Sequence, residues 1–453
     1  MNIHFICIGG TVMHNLAIAL HLKGYKVTGS DDSFLEPVRS RLNKYGLLPE
    51  RCGYDPDRIH SGMDAVILGM NTRKNNKELI RARELGIRIF SFPEYLYEHS
   101  KNKKRVVISG SHGKATISAM VMHVLRQNGK NVDYMVSAPV QGYDSMVKLS
   151  DDAPVIILEG DEYLSSPIDR TPKFHQYNPH MTLLSGIAWD HMNVFKTFEN
   201  YKKQFRKFLC IATGGGKVFY YDGDPVLGDI VDKSHWSLLK IPYSEHPYKV
   251  EDRRFILESR YGNIPLNIIG NHNMQNIQGA MLICRDLGIE DHEFYAAIQQ
   301  FKGVENRQQL LANNHTKAVY LDYAHAPSSV EATVNAFKET YEGHKLVTCL
   351  ELHTYSSLNM EYMPLYKGSL NDADKAMVYY NPKEVKKLRL PELDPVEVKA
   401  QFARKDLEIY NDPSALEKSL RRLDEKDYIL LLMSANSFAG MDIRHLAKEM
   451  VEH

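Results

Sequence analysis

Residues 106 to 120 read VVISGSHGKATISAM and place two glycines and a lysine directly after a short apolar run. Gly110 and Gly113 allow the chain to fold around an anion, with backbone N–H groups pointing inward and the positive end of the next helix facing the ligand. Lys114 would neutralise the β- and γ-phosphates of a nucleotide. The pattern predicts a phosphate-binding loop, with a glycine-rich strand-to-helix turn as the alternative.

The residue after the loop lysine departs from the usual nucleotide-binding pattern. Ser or Thr normally stands there and its hydroxyl holds Mg²⁺, whereas this chain has Ala115. The backbone N–H of Ala115 can still meet a phosphate, but its side chain offers no oxygen to a metal. Thr116 lies one residue too late to replace that hydroxyl. We therefore expect the loop to bind ATP and to turn it over slowly.

Acidic residues and a histidine follow two further apolar runs. The segment LEGDEY places Glu159, Asp161 and Glu162 at the C-terminal end of the predicted strand PVIIL. The segment AWDHMNVF places Asp190 and His191 after another apolar run. Ligands of open α/β sheets lie beyond that edge, and carboxylates suit a hard cation such as Mg²⁺. A solvated acidic turn and a hydrogen-bonded structural histidine are the alternatives.

The segment IIGNHNMQNIQGAM, residues 268 to 281, contains His272, Asn273 and Asn276 beside a helical pattern. An Asn side chain carries both a donor and an acceptor, so it can pair with the edge of adenine. Helix capping is the ordinary role of Asn and is favoured when these residues are taken alone.

Three series of short apolar runs and amphipathic stretches must position these residues. The first hundred residues contain IHFICIGG, LAIALHLKG, KVTGSD, DAVILGM and IRIFSF, which predict a parallel sheet wrapped by helices. The basic stretch HSKNKKR at 99 to 105 is interpreted as a linker, or else as a solvated charge run. A second α/β series starts at Val106. A third follows FKGVENRQQLL, with KAVYLDYAHAP, KLVTCLELH, KAMVYY and DYILLLMSANSFAG.

Composition limits the classes of partner. The length of 453 residues favours two or three domains. The 56 basic residues are balanced by 56 acidic ones, which gives no basic excess for binding nucleic acid. The five cysteines are scattered and form no C-x-x-C pair, which is typical of a reducing cytosol. No apolar stretch approaches the length that spans a bilayer. We expect a cytoplasmic protein, a monomer or homodimer, without membrane insertion.

Taken in order, these groups resemble the Mur ligases, the ATP-dependent amide-forming enzymes of peptidoglycan synthesis. GSHGKA has the spacing of the short family loop G-x-x-G-K-[ST] except at its last residue, and further matching elements are IGGTVM, VTGSD, EGDEY, WDHMNVF, GNHNMQN, FKGVENRQ, LDYAHAP and LLMSANSFAG. The resemblance implies an α/β fold of three domains. These are an N-terminal Rossmann-like UDP-sugar-binding domain (1–104), a central P-loop ATPase domain (105–303), and a C-terminal Rossmann-like domain (304–453) that binds the amine substrate and closes on the nucleotide.

Within the family, the chain looks most like the murein peptide ligase branch, which joins UDP-N-acetylmuramate to the recycled tripeptide L-Ala-γ-D-Glu-meso-diaminopimelate. The distinguishing stretches are NTRKNN, LLMSANSFAG and Tyr163, where the L-alanine-adding branch usually has Ser. That branch is the nearest alternative. A hypothesis from another class is a nucleotide- or UDP-sugar-binding protein with Mur architecture and little turnover.

The resemblance also assigns roles. A sugar-nucleotide carboxylate attacks the γ-phosphorus of ATP, and the incoming amine displaces the acyl phosphate. Lys114, Glu162 and His191 are the implied catalytic residues, and Glu162 and His191 are the implied Mg²⁺ ligands. The residues implied for ATP are Gly110, Ser111, His112, Gly113, Lys114, Ala115, Thr116, His272, Asn273, Asn276, Arg307, Asp322 and His325. Those implied for UDP-N-acetylmuramate and the peptide or amino acid are Gly9, Gly10, Thr11, Ser30, Asp31, Thr72, Arg73 and His353.

Several positions depart from the family pattern. Cys7, His14 and Asn15 replace small residues that let a diphosphate approach the backbone, so weaker binding of the UDP moiety is expected. Asn306 stands beside Arg307 where relatives have two arginines. His353 lies in LELHTYSSLN, where most relatives have an arginine that can hold a substrate carboxylate in two hydrogen bonds.

Overall fold

The computed structural model describes residues 1–234, 238–423 and 427–452. The chain divides into two compact units. Unit 1 comprises Met1–Ile187, Lys202–Ser244 and Gly279–Phe294, and unit 2 comprises Ala188–Tyr201, Glu245–Gln278 and Tyr295–His453. Within the described ranges, none of the helices combines the length and the apolar character that crossing a bilayer requires.

A four-stranded parallel sheet forms the first part of unit 1. Its strands are β1 (Asn2–Ile6), β2 (Lys26–Ser30), β3 (Ala65–Leu68) and β4 (Arg88–Ser91), in the order β2-β1-β3-β4. Every residue of β3 is buried, as expected for a parallel strand covered on both faces. The accompanying helices are α1 (Thr11–Leu22), α2 (Val38–Lys44), α3 (Lys77–Glu84) and α4 (Phe92–Ser100). This arrangement confirms the parallel sheet predicted for the first hundred residues.

A seven-stranded sheet forms the second part of unit 1. Its strands are β5 (Lys104–Ser109), β6 (Val132–Met135), β7 (Val147–Lys148), β8 (Val155–Gly160), β9 (Met181–Leu184), β10 (Lys217–Tyr221) and β11 (Leu239–Tyr243). Their order is β11-β10-β9-β5-β8-β6-β7, and only the β6–β7 pair is antiparallel. The next helices in the chain are α5 (Lys114–Gln127), α6 (Phe198–Ile211), α7 (Pro225–Lys233), α8 (Asn271–Asp286) and α9 (Asp291–Ile298). Because β5 and β8 are neighbouring parallel strands, their carboxyl ends lie side by side.

Unit 2 contains a small antiparallel sheet and a larger mixed one. The small sheet joins β12 (Tyr248–Glu251), β13 (Arg254–Ser259) and β14 (Gly262–Pro265). The larger sheet has the order β15-β16-β20-β17-β18-β19, and only β15 is antiparallel to its neighbour. Its strands are β15 (Gln309–Asn313), β16 (Lys317–Asp322), β17 (Lys345–Leu352), β18 (Lys375–Tyr380), β19 (Glu408–Tyr410) and β20 (Tyr428–Met433).

Helices cover the larger sheet of unit 2, and its central strand alternates between two apolar clusters. Leu346, Leu350 and Leu352 of β17 lie in one cluster, and Val347 and Cys349 lie in the other. This period of two is that of a strand buried on both faces. The helices are α10 (Pro327–Thr340), α11 (Pro382–Lys387), α12 (Pro395–Phe402), α13 (Pro413–Arg421) and α14 (Ile443–Glu452). The predicted α/β class is confirmed, while the boundaries predicted after residues 104 and 303 stay predictions.

The basic stretch at 99–105 is an ordered part of unit 1. Helix α4 ends at Ser100 and β5 begins at Lys104. The buried Lys103 ammonium donates to Asp133 Oδ2 at 2.6 Å, and the buried Arg105 guanidinium donates to the backbone oxygens of Ser100 and Tyr177. Cations buried against carboxylate and carbonyl oxygens fix the chain locally. Their burial makes the alternative of a solvated charge run wrong for Lys103 and Arg105, while the interpretation of the stretch as a linker stays a prediction.

Candidate active site

The predicted succession of strand, glycine turn and helix lies between β5 and α5. Gly110 has φ +122° and Gly113 has φ +76°, conformations that favour glycine. A Cβ atom added to Gly110 would lie 2.8 Å from the backbone nitrogen of Ser185, so a larger residue would also collide there. The loop is tied to the chain after β9, because Ser111 N–H donates to Gly186 O at 2.9 Å. The hydroxyl of Ser185 also donates to the carbonyl of His112.

The start of α5 presents backbone donors suited to an anion. The N–H of Ile117 donates to Gly113 O at 2.8 Å and closes the first turn of the helix. The N–H groups of Lys114, Ala115 and Thr116 come before that bond, so the helix itself supplies no carbonyl for them. Ala115 is buried, at 6% exposure. This donor set fits the phosphates of a nucleotide.

Lys114 and Glu162 form an ion pair beside this loop. The Lys114 Nζ donates to Glu162 Oε2 at 2.9 Å and to Gly110 O at 2.7 Å. Burial alone would lower the pKa of Lys114, but the carboxylates of Glu162 and Asp161 outweigh it, and the pKa is raised. Lys114 therefore remains an ammonium at neutral pH.

The three acids at the carboxyl end of β8 have different partners. Glu159 is buried and accepts hydrogen bonds from the N–H and the hydroxyl of Ser137, at 2.8 and 2.7 Å. Asp161 accepts from Lys173 Nζ at 2.5 Å, whereas Glu162 faces the loop lysine. The burial of Glu159 and Glu162 rules out the alternative of a solvated acidic turn. A carboxylate beside a phosphate loop is the kind of ligand that Mg²⁺ prefers, so the residues present fit this metal.

His191 lies in unit 2, so the two predicted Mg²⁺ ligands belong to different units. Its backbone is left-handed, with φ +57°. Its N–H donates to Asp190 Oδ1 at 2.6 Å, and its carbonyl accepts from the N–H groups of Val194 and Phe195. This tight turn holds the histidine backbone in place after β9.

The N-terminal glycine turn joins β1 to α1, which begins at Thr11. The N–H of Gly9 donates to Asp31 Oδ2 at 2.8 Å, and Gly10 precedes the helix as its cap. Burial raises the pKa of Asp31. An acid after the second strand of such a fold is suited to ribose hydroxyls. The structure thus brings Gly9 and Asp31 together.

The other predicted substrate residues of unit 1 differ in burial. Ser30 is buried and its hydroxyl donates to the buried carboxylate of Glu78. Thr72 is buried, and its hydroxyl lies 3.5 Å from Cys7 Sγ. Arg73 is exposed. Only Arg73 among these three presents an exposed charge for a ligand.

The three departures from the family pattern are buried, Cys7 in the N-terminal turn and His14 and Asn15 on α1. Cys7 is buried with φ +64°. His14 is buried with Nδ1 2.9 Å from Gly10 O, and burial lowers its pKa. Asn15 is buried and its Oδ1 accepts from Arg41 Nη2 at 3.0 Å. These side chains contact protein groups, and the expected weaker binding of the UDP moiety stays a prediction.

In unit 2, Asp322 ends β16 and accepts backbone hydrogen bonds on both oxygens, from Gln308 at 2.8 Å and Ala324 at 2.7 Å. The Arg307 guanidinium lies 4.3 Å from the ring centre of Tyr323, a cation–π distance. Burial lowers the pKa of His325, with Asp190 opposing and Arg307 and His191 reinforcing the shift. Arg307 and His191, both in this unit, therefore oppose the protonation of His325.

His272, Asn273 and Asn276 lie on α8. Asn273 and Asn276 are buried, and the Asn276 amide donates to Asn273 Oδ1 at 3.1 Å. Because α8 begins at Asn271, neither asparagine caps it, and the capping alternative is wrong. The sequence interpretation missed Gln308, whose side chain contacts both His272 and Asn273. Gln308 is the last residue of the quoted segment FKGVENRQ, but its contact with α8 is not apparent there, since it lies more than thirty residues away in the chain.

His353 follows β17 in unit 2. Its Nδ1 accepts from Asn436 Nδ2 at 3.1 Å, and its N–H donates to Ser357 Oγ at 3.0 Å. Asn436 was not predicted as a site residue, although it belongs to the quoted segment LLMSANSFAG. The signal that could have found Asn436 is therefore the family motif itself.

Comparisons with protein families match three consecutive parts of the chain. The description "Mur ligase family, catalytic domain" matches residues 2–104, "Mur ligase middle domain" matches 108–284, and "Mur ligase, glutamate ligase domain" matches 306–435. Together they extend over most of the chain.

Individual relatives agree with these matches. UDP-N-acetylmuramate–L-alanine ligase from Persephonella marina is 29% identical over 362 residues, covering 78% of this chain and 76% of the relative. UDP-N-acetylmuramate–L-alanyl-γ-D-glutamyl-meso-2,6-diaminoheptandioate ligase from Haemophilus influenzae is 26% identical over 353 residues, covering 76% and 77%. The crystal structure of UDP-N-acetylmuramate–alanine ligase from Thermotoga maritima has a TM-score of 0.73 and 21% identity, covering 100% of this chain and 98% of its own. The chain belongs to the Mur ligase family and has its three-domain architecture.

Proposed function

We propose that this protein is an ATP-dependent ligase that joins UDP-N-acetylmuramate to L-Ala-γ-D-Glu-meso-diaminopimelate in peptidoglycan recycling. The observation that carries the proposal is the ion pair of Lys114 and Glu162 at the phosphate loop. It places a cation and a carboxylate beside the backbone donors of α5, as phosphoryl transfer with a metal requires. The relative from Haemophilus influenzae supports this choice of substrate through its named activity.

The proposed reaction has two steps. The muramate carboxylate attacks the γ-phosphorus, ADP leaves, and an acyl phosphate forms. The amine nitrogen then attacks the acyl carbon, phosphate leaves, and the nitrogen loses a proton. The Lys114 ammonium would neutralise the γ-phosphate oxygens, while the N–H groups of Ala115 and Thr116 hold the phosphates. Glu162 and His191 would hold Mg²⁺, which when bound supplies further charge neutralisation.

The remaining predicted residues would bind the substrates. We propose that the adenosine and phosphates of ATP also contact residues of α8 and of the chain from 304 onward, namely His272, Asn273, Asn276, Arg307, Asp322 and His325. We assign the UDP-sugar to the N-terminal turn and its neighbours, with Asp31 accepting from ribose hydroxyls. His353 and the adjacent Asn436 would meet the carboxylates of the peptide. A neutral pair in place of an arginine would bind them less tightly.

Two other functions have specific support. An L-alanine ligase is favoured by the named activity of the Persephonella marina relative. A nucleotide-binding protein with little turnover is favoured by the buried Ala115, which supplies no hydroxyl to Mg²⁺.

The test is a panel of amines with ATP, MgCl₂ and UDP-N-acetylmuramate, scored by mass spectrometry together with the ADP formed. We expect an amide product with the tripeptide and one ADP for each product. A product with L-alanine and none with the tripeptide would establish the second function. Measurable ATP binding without product from any amine would establish the third. The variant K114M is the control, because it should bind ATP weakly and form no product.

A further inference from the structure

The turn before β15 places the uncharged side chain of Gln308 against the start of α8. Asn306 has φ +57° and Gln308 has φ +49°, so the backbone turns sharply at both residues. Non-glycine residues adopt this conformation at a cost, and they keep it where surrounding contacts over-determine it. At Gln308 its own side chain supplies such contacts, and at Asn306 the backbone N–H donates to Gln309 Oε1 at 3.2 Å, all within unit 2.

The Gln308 amide uses its whole hydrogen-bonding capacity on the segment that begins α8. Its Oε1 accepts from the N–H of Ile269 at 3.2 Å and from Asn273 Nδ2 at 3.2 Å. Its Nε2 donates to Ile269 O at 3.0 Å and lies 3.3 Å from His272 Nε2. An amide has two hydrogens and two acceptor sites, so none remains for a ligand.

These contacts determine where the proton of His272 lies. The backbone of Ile269 offers one donor and one acceptor, which fixes the orientation of the Gln308 amide. The Nε2 of Gln308 then faces His272 as a donor, so His272 Nε2 must accept and the proton resides on Nδ1. Burial lowers the pKa of His272, which keeps the ring neutral. Among the described residues, His272 Nδ1 has no hydrogen-bond partner.

The same contacts leave Asn273 and Asn276 with different capacities to donate a hydrogen bond to a ligand. The Asn273 amide nitrogen donates to Ile269 O at 2.8 Å and to Gln308 Oε1, so both of its hydrogens are committed. Asn276 donates one hydrogen to Asn273 Oδ1. Asn273 therefore has no donor left for a base, whereas Asn276 keeps a second amide hydrogen.

Gln308 also reaches the end of β16, since its backbone N–H donates to Asp322 Oδ2 at 2.8 Å. We propose that Gln308 is a positioning residue of the nucleoside site, which holds His272 as the Nδ1–H tautomer and links the adenine-facing residues of α8 to Asp322. The proposal rests on the proposed placement of ATP at these residues. Gln308 itself touches no substrate.

The first test measures nucleotide affinity with the full-length protein. Q308L removes the amide and nearly keeps its size, and we expect it to weaken binding of AMP-PNP, measured by calorimetry, on the order of tenfold. The KM for ATP should rise in parallel, with kcat at saturating ATP within about twofold of wild type. The matched control is Q299L, because Gln299 is exposed at the end of α9. Affinity of folded Q308L within about twofold of wild type would overturn the proposal.

The second test needs no ligand and no activity. Long-range ¹H–¹⁵N spectra of the imidazole rings, with His272 assigned by its absence in H272Q, should show a protonated Nδ1 and an unprotonated Nε2. Q308E replaces the amide donor with an acceptor and should move the proton to Nε2. A protonated Nε2 in the wild-type protein would overturn the proposal, even if Q308L failed to fold.

The two proposals fail in different ways. A wild-type protein that binds AMP-PNP but forms no amide defeats the ligase proposal, and a weakened Q308L would still support the role of Gln308. Product formation by wild type together with unchanged affinity in Q308L overturns the role of Gln308 alone.

Discussion

Two strand-to-helix turns of unit 1 have similar sequences and different local chemistry. In the phosphate loop, the two left-handed positions are Gly110 and Gly113, and Lys114 follows directly. In the N-terminal turn, a left-handed position is occupied by Cys7, whose Cβ and thiol are buried in the turn. Glycine at such positions leaves room for a ligand against the backbone, whereas a side chain fills that room.

The charges beside the two turns also differ, because one turn has a cation and the other has an anion. The phosphate loop has an ammonium at its helix start, and the N-terminal turn has the Asp31 carboxylate on the N–H of Gly9. A carboxylate repels a diphosphate but accepts hydrogen bonds from ribose hydroxyls. The comparison indicates that the loop at 110–114 favours phosphates, whereas Asp31 favours hydroxyl groups beside the N-terminal turn.

Glu162→Gln should have the largest effect, because it removes the charge that pairs with Lys114 and that would hold Mg²⁺. We expect product formation to fall by about 10³-fold, since a metal supplies several kcal/mol of charge stabilisation. Initial rates with saturating substrates measure this loss, and circular dichroism checks the fold. Glu397→Gln is the matched control at an exposed position of α12. Activity of Glu162→Gln near the wild-type rate would remove this carboxylate from the phosphate loop.

Asp31→Asn tests the N-terminal turn. It should raise the KM for UDP-N-acetylmuramate by about tenfold through the loss of a charged hydrogen bond, and leave the KM for ATP unchanged. Because burial raises the pKa of Asp31, the carboxylate protonates at a higher pH than an exposed aspartate. The KM for the UDP-sugar should therefore rise as pH falls through that raised pKa, and this rise should be missing in Asp31→Asn. A lower KM in the variant would mean that Asp31 only blocks the turn.

Ala115→Thr tests whether the phosphate loop lacks a metal ligand. The new hydroxyl should raise the rate of ADP formation by about three- to tenfold and change ATP affinity less, because charge neutralisation counts most during transfer. Ala115→Val has the same shape without the oxygen and serves as the control at this buried position. Rapid-quench measurements at saturating Mg²⁺ compare the three proteins. Equal rates for Thr and Val would show that the missing hydroxyl is irrelevant.

Cys7→Gly should have the smallest effect. Glycine relieves the left-handed backbone strain of about 1 kcal/mol. It also loses the contacts of the buried thiol, including that of Sγ with the Tyr54 hydroxyl at 3.1 Å. Because the two effects oppose each other, the melting temperature should change little. The KM for UDP-N-acetylmuramate should fall about threefold, because a ligand gains access to the turn. Cys7→Ala keeps the Cβ atom and should not show this gain. The same KM in both variants would mean that the Cβ does not limit access.

The strands and helices around the site could be predicted because the signals are local. Short apolar runs such as AVIL of β3 and YILLLM of β20 are buried along their whole length, and the left-handed Gly110 and Gly113 mark the loop between β5 and α5. The family motifs located the loop lysine, the acids and the asparagines at the ends of these elements.

Other features could not be predicted, because they depend on partners far away in the chain. The sequence left a linker and a solvated charge run open at 99–105, whereas Lys103 is buried against Asp133 and Arg105 against the carbonyl of Tyr177. Gln308 ends the quoted segment FKGVENRQ, but its proposed role depends on contacts with the backbone of Ile269. Long-range hydrogen bonds of this kind become visible only when the fold is known.

The central claim is that the phosphate loop transfers the γ-phosphoryl group of ATP to the carboxylate of UDP-N-acetylmuramate. The most direct measurement is a single turnover without any amine, with borohydride added to reduce the acyl phosphate to an alcohol that mass spectrometry detects. We predict ADP and the reduced sugar nucleotide in equal amounts, and neither when UDP-N-acetylmuramate is omitted or when Lys114 is replaced by Met. ADP formation independent of the UDP-sugar, or no ADP at all from a protein that binds ATP, would contradict the account.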